Sequence, residues 1–105
     1  MVNISGTFGF DFLLGTPNSD TMRGFAGNDT IQGLGGNDLI FGDRDNDLLA
    51  GNEGADTIAG GQGSDTIYGG LADDWINGDR GQDLLIGGEG KDILTGGAGD
   101  DLFVL

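Results

Sequence analysis

A nine-residue period runs through this chain without a slip. Eleven copies start at Gly6, Gly15, Gly24, Gly33, Gly42, Gly51, Gly60, Gly69, Gly78, Gly87 and Gly96 and end at Val104, so they take up 99 of the 105 residues. The first place is Gly in every copy. The sixth is Asp in every copy: Asp11, Asp20, Asp29, Asp38, Asp47, Asp56, Asp65, Asp74, Asp83, Asp92 and Asp101. The eighth is always apolar, from Leu13, Met22 and Ile31 through to Leu94 and Phe103. A nine-residue unit cannot bury its own apolar residue, so an unbroken period demands one unit stacked on itself.

Within a copy, the six leading residues are rich in Gly, Asn and Asp and read as a turn. The last three, with Thr, Leu, Ile, Phe and Trp, read as a short strand. Side chains alternate along a strand, so the uniformly apolar eighth residue faces inward and the seventh and ninth face out. One inward residue from each of two opposed strands makes a narrow core, and two copies close a flattened coil. The expected fold is all-β: two parallel sheets of short strands built from eleven half-coils, the odd copies forming one sheet and the even copies the other. At about 4.8 Å per strand the stack spans roughly 26 Å. Residues 6–105 form this domain, and residues 1–5 are a lead-in, frayed or left from a preceding coil.

Such a chain is poorly suited to folding on apolar burial alone. It has 24 glycines, which surrender unusual backbone freedom, only 36% apolar residues, and a net charge of −14. Eleven of the sixteen aspartates occupy the sixth place, so the fold lines carboxylates up rather than dispersing them. Aligned carboxylates demand cations. Four basic residues (Arg23, Arg44, Arg80, Lys91) against eighteen acids exclude a phosphate-binding surface, and so a nucleic-acid partner. With no Cys and no His, disulfides, thiolate or imidazole metal sites, Cys nucleophiles and histidine triads are excluded as well. An all-oxygen cage suits Ca²⁺, which takes about six to eight oxygen ligands, better than Mg²⁺, which keeps its water.

Ser5, Ser19 and Ser64 sit beside no plausible base and read as turn or terminal residues, so no catalysis is expected within these residues. No segment is long or apolar enough to cross a bilayer, and the first residues have neither a basic nor an apolar signal region. N-terminal signal export is therefore not expected.

Some copies depart from the pattern. The first is the most apolar, and its Phe8, Phe10, Phe12 and Leu14 either cap the end of the stack or packed on an upstream domain. At the fourth place, otherwise Gly, stand Asn18, Asp45 and Ala72. Ala72 is awkward if that place needs positive φ. Asp45 either distorts its turn or, with Asp43, adds ligands.

The pattern G-G-x-G-x-D-x-U-x, complete in Gly60-Gly61-Gln62-Gly63-Ser64-Asp65-Thr66-Ile67-Tyr68 with U a large apolar residue, resembles the repeats-in-toxin (RTX) calcium-binding nonapeptides of secreted bacterial proteins. The resemblance covers nearly the whole chain. It implies a right-handed parallel β-roll with Ca²⁺ between turns on the same side, held by sixth-place carboxylates from Asp11 to Asp101. Turn carbonyls complete the implied ligand set: first-place Gly24, Gly33, Gly51, Gly60, Gly69, Gly78, Gly87 and Gly96, second-place Gly61, Gly70, Gly88 and Gly97, and fourth-place Gly27, Gly36, Gly54, Gly63, Gly81, Gly90 and Gly99. Turns paired two copies apart allow up to about nine ions. The resemblance further implies type I secretion in the unfolded state and folding outside on millimolar calcium. The chain would serve as a module of a larger exported protein, with calcium and flanking domains as partners. The alternatives are an adhesive or docking surface with weak self-association, or the non-catalytic module of a secreted enzyme. The ending Asp101-Leu102-Phe103-Val104-Leu105 fits a last strand plus cap, or a secretion signal.

Overall fold

In the computed structural model, residues 2–104 are described. Twelve short strands follow one another: β1 (Asn3–Ser5), β2 (Phe12–Leu14), β3 (Thr21–Arg23), β4 (Thr30–Gln32), β5 (Leu39–Phe41), β6 (Leu48–Asn52), β7 (Thr57–Ala59), β8 (Thr66–Gly70), β9 (Trp75–Asn77), β10 (Leu84–Gly88), β11 (Ile93–Thr95) and β12 (Leu102–Val104). The odd-numbered strands form one six-stranded sheet and the even-numbered strands the other. Every pairing is parallel and joins residues two copies apart, as in Ile40 with Ile58 and Ile58 with Ile76. The chain therefore winds as a roll, crossing from sheet to sheet once per copy, with the copies partitioned between sheets as the period requires. The molecule is a slab of 34 × 33 × 13 Å, its thin dimension set by two sheets packed face to face.

The core is a single file of eighth-place residues. Met22, Ile31, Ile40, Leu49, Ile58, Ile67, Ile76 and Leu85 are buried almost completely, with Ile4, Leu13 and Leu94 partly buried beside them. End coils have a neighbour on one side only, which is why Leu13 and Leu94 are less covered.

At the N-terminal end, Asn3-Ile4-Ser5 takes the second of the two expected forms, part of a preceding coil: it supplies the seventh to ninth places of a twelfth half-coil, pairs with β3 and turns Ile4 inward. The apolar ends form no caps. Phe8 and Phe10 are 84% and 82% exposed, Phe12 is 66% exposed, and Phe103 in β12 is 43% exposed. Phe8 and Phe10 sit on the turn and Phe12 is an outward seventh-place residue, so none folds over the end layer, whereas Phe103 is an eighth-place residue on an edge strand paired on one side only. The cap expected of Leu105 lies outside the described residues.

Candidate metal centres

The turns stack as regularly as the strands. In copies three to eleven, both the second and the fourth residue take positive φ, whatever their identity. Glycines at these places include Gly61, Gly70, Gly88 and Gly97 (second) and Gly27, Gly36, Gly54, Gly63, Gly81, Gly90 and Gly99 (fourth); Phe25, Leu34, Asp43, Asn52 and Asp79 also comply, as do the irregular fourth-place residues Asp45 and Ala72. Stacking overrides local preference because each turn must lie on the one before it. A Cβ placed on Gly27, for example, would come within 2.5 Å of the carbonyl oxygen of Gly9, one coil earlier.

The sixth-place aspartates form two hydrogen-bonded ladders. One carboxylate oxygen, Oδ1, accepts the backbone N–H of the aspartate one coil earlier at 2.8–2.9 Å. One ladder runs Asp11, Asp29, Asp47, Asp65, Asp83, Asp101 and the other Asp20, Asp38, Asp56, Asp74, Asp92. The structure thus brings together the aspartates that the period places two copies apart. Asp92 and Asp101 are the last rungs of their ladders among the described residues.

The second oxygen is the unusual one. In Asp29, Asp38, Asp47, Asp56, Asp65, Asp74 and Asp83, Oδ2 is buried and has no hydrogen-bond partner. Buried carboxylate oxygens without partners are costly and call for a counter-charge. Each points at the Cα of its own first-place Gly. A Cβ on Gly60 would lie 2.5 Å from Asp65 Oδ2 and 2.9 Å from the carbonyl oxygen of Gly78, one coil on; on Gly69 it would lie 2.6 Å from both Asp74 Oδ2 and the Gly87 carbonyl. First-place glycines are therefore required for space. They leave a cradle between coils lined by a carboxylate oxygen and a carbonyl oxygen.

Electrostatics agree with the geometry. Burial pushes Asp65 up to about 8, Asp47 and Asp56 up to about 7, and Asp29, Asp74 and Asp83 up to about 6, with carboxylates on adjacent coils adding to the effect in each; Asp38 is raised for the same first reason. Among the described residues the one ion pair is Arg23 with Asp43 at 3.2 Å, on the surface, where the Arg23 guanidinium also lies over Phe25 and Phe41. No three acidic side chains converge on one point among the described residues, so backbone carbonyls must complete any cage. Hard oxygen donors, an uncompensated charge and a cradle that recurs at Gly24, Gly33, Gly42, Gly60 and Gly69 fit Ca²⁺, and the donor set offers nothing to metals that seek N or S.

Three features of the turns went unread in the sequence. Fifth-place Asn28, Asn37 and Asn46 accept the N–H of the fifth-place residue one coil later at 2.7–2.8 Å, forming an outer ladder. Asp45 is committed to the N–H of Gly27 at 2.7 Å, and Asp43 to Arg23 and the N–H of Phe25. Thr7 and Thr16 bind the carboxylates of Asp11 and Asp20 in their own copies. The Thr16 N–H is the main reason Asp20 is held below the ordinary carboxylate range. The signal for these last contacts was present, since Thr occupies the second place in the first two copies and in no other.

A two-sheet parallel roll with stacked acidic turns defines a metal-binding solenoid. The sequence profile of the family described as RTX calcium-binding nonapeptide repeat (4 copies) matches residues 14–49, 50–85 and 68–103, and the chain belongs to that family. No curated protein and no solved structure matches it. The chain is thus a calcium-binding structural module of the RTX type.

Proposed function

We propose that this module folds on calcium and serves as the calcium-triggered folding segment of an exported protein, with no catalysis of its own. The observation that carries this reading is the set of seven buried Oδ2 atoms without partners, from Asp29 to Asp83. In the proposed arrangement, ions lie between consecutive coils. Each is held by a sixth-place carboxylate and by turn carbonyls, first among them that of the first-place Gly one coil on. Calcium supplies the charge neutralisation and inter-coil cohesion that a core one side chain wide does not. Without it, an acidic, Gly-rich chain stays expanded, the state in which passage through a type I export channel is feasible. Calcium outside the cell then closes the roll. RTX repeats typically occur in secreted bacterial proteins, which supports this placement.

The test is circular dichroism with sedimentation on the isolated chain at neutral pH. Chelated protein is expected to be expanded and lack β structure, and millimolar Ca²⁺ to convert it into a compact β form that equal Mg²⁺ does not produce. A compact β form persisting after thorough chelation at neutral pH would refute the reading.

One observation favours an additional role as a docking face. Trp75 and Ile93 pair in register on the outer side of one sheet, and each is 58% exposed, more apolar surface than a solvated strand pair needs. A second copy of the roll is the proposed occupant. In calcium, concentration-dependent sedimentation of the chain is expected to weaken in Trp75→Ser; identical monomeric behaviour of both proteins would dismiss self-association.

A further inference from the structure

We propose that Thr7 and Thr16 close the first two turns in place of a metal ion, so that the calcium ladder begins at Asp29 and Asp38. This rests on the calcium reading above and assigns which of its cages are real. In the first copy, Asp11 Oδ2 accepts the N–H of Thr7 at 2.6 Å, and the Thr7 hydroxyl lies 3.1 and 3.2 Å from the two carboxylate oxygens. The second copy repeats this: the Thr16 N–H reaches Asp20 Oδ2 at 2.7 Å, and its hydroxyl lies 3.0 Å from both oxygens. In the seven copies from Asp29 to Asp83 the same oxygen has no partner. Asp20, unlike the partly buried Asp11, is as buried as those seven, at 1% exposure, so burial does not set it apart from them. The Thr contacts do.

The cause is conformational. A β-branched residue at positive φ is strongly disfavoured, and the second and fourth places of copies one and two are absent from the positive-φ positions that both places adopt in every later copy. With Thr at the second place the turn takes another path, and that path aims the residue's own N–H and hydroxyl at the carboxylate four residues on. Protein donors then occupy the oxygen that a cation would take elsewhere.

The count follows. Nine pairs of turns lie two copies apart; the pairs opened by the Thr7 and Thr16 turns are closed, which leaves seven, matching the seven partnerless oxygens. In the folded roll the first two turns are thereby held by local hydrogen bonds where the later turns would hold an ion.

Calcium stoichiometry of the folded chain, by isothermal titration and native mass spectrometry, tests this. Seven ions are expected. Thr16→Gly, which frees the turn to adopt the conformation of the others, is expected to gain one ion. Asp20→Asn is expected to keep the wild-type number, while Asp38→Asn loses one. Nine ions on the wild type, an unchanged count in Thr16→Gly, or an ion lost in Asp20→Asn would each overturn the proposal while leaving the calcium module intact. A wild type that binds no calcium would instead sink the functional reading itself. Should Thr16→Gly fail to fold, Asp20→Asn against Asp38→Asn still decides the matter.

Discussion

Acid is expected to substitute for calcium. In chelator, lowering the pH from 8 to 5 should shift the chain from coil toward the β roll, read by circular dichroism at concentrations that sedimentation shows to be monomeric. The sign follows from the raised pKa values of the buried aspartates. Asp47 and Asp56 titrate at about 7 in the roll and Asp65 at about 8, against an ordinary Asp value of about 3.9 in an unfolded chain. Between these limits the folded state binds more protons than the unfolded state, so its stability falls as pH rises. The contribution is fully present below the unfolded pKa and is lost as pH climbs through about 6 to 8. One group displaced to about 7 changes the folding equilibrium about a hundredfold between pH 8 and pH 5. The ladders couple neighbouring groups, so their effects do not simply multiply. A chain that stays coil throughout this range would show that neutralising the buried carboxylates is not what folding waits for. With saturating calcium the pH dependence over the same range should largely vanish, because the bound metal holds the carboxylates ionised.

The second large effect is expected from Gly60→Ala. The added methyl carbon would sit 2.5 Å from Asp65 Oδ2 and 2.9 Å from the Gly78 carbonyl oxygen, within the cradle between two central coils. Overpacking of this kind costs about 1–3 kcal/mol before any ion is lost, and here the ion between those coils goes too. The calcium concentration at the folding midpoint should rise about two- to threefold, because the cost is spread over the several ions whose binding drives folding. Gly9→Ala is the control: a Cβ there meets only the Thr7 hydroxyl oxygen at 3.9 Å, and its midpoint should match the wild type. Equal midpoints for the two variants would mean that the first-place glycines do not guard a cation cradle.

These contrasts mark where sequence reading reaches. The strand places, the sheet to which each copy belongs, the single-file core from Met22 to Leu85 and the gathering of sixth-place aspartates all follow from a period of nine with alternation at its end. Such features repeat in every copy, so they are legible in any one of them. The roles of individual turns do not repeat. Residues 1–5 read as either a frayed lead-in or the remains of a preceding coil until β3 is there for Asn3–Ser5 to pair with. Phe8, Phe10 and Phe12 resemble a cap until the end coil is seen to leave them in solvent.

From the order of its residues alone, then, this protein is determined to be a stacked solenoid with its carboxylates in line, since periodicity and charge act the same way in each copy. Only the tertiary structure decides which carboxylate oxygens lack a partner and which are held by Thr7 or Thr16. The Thr contacts lie within one copy, but the partnerless oxygens depend on backbone torsions imposed by the neighbouring coil and on ladder partners eighteen residues away that no single copy contains.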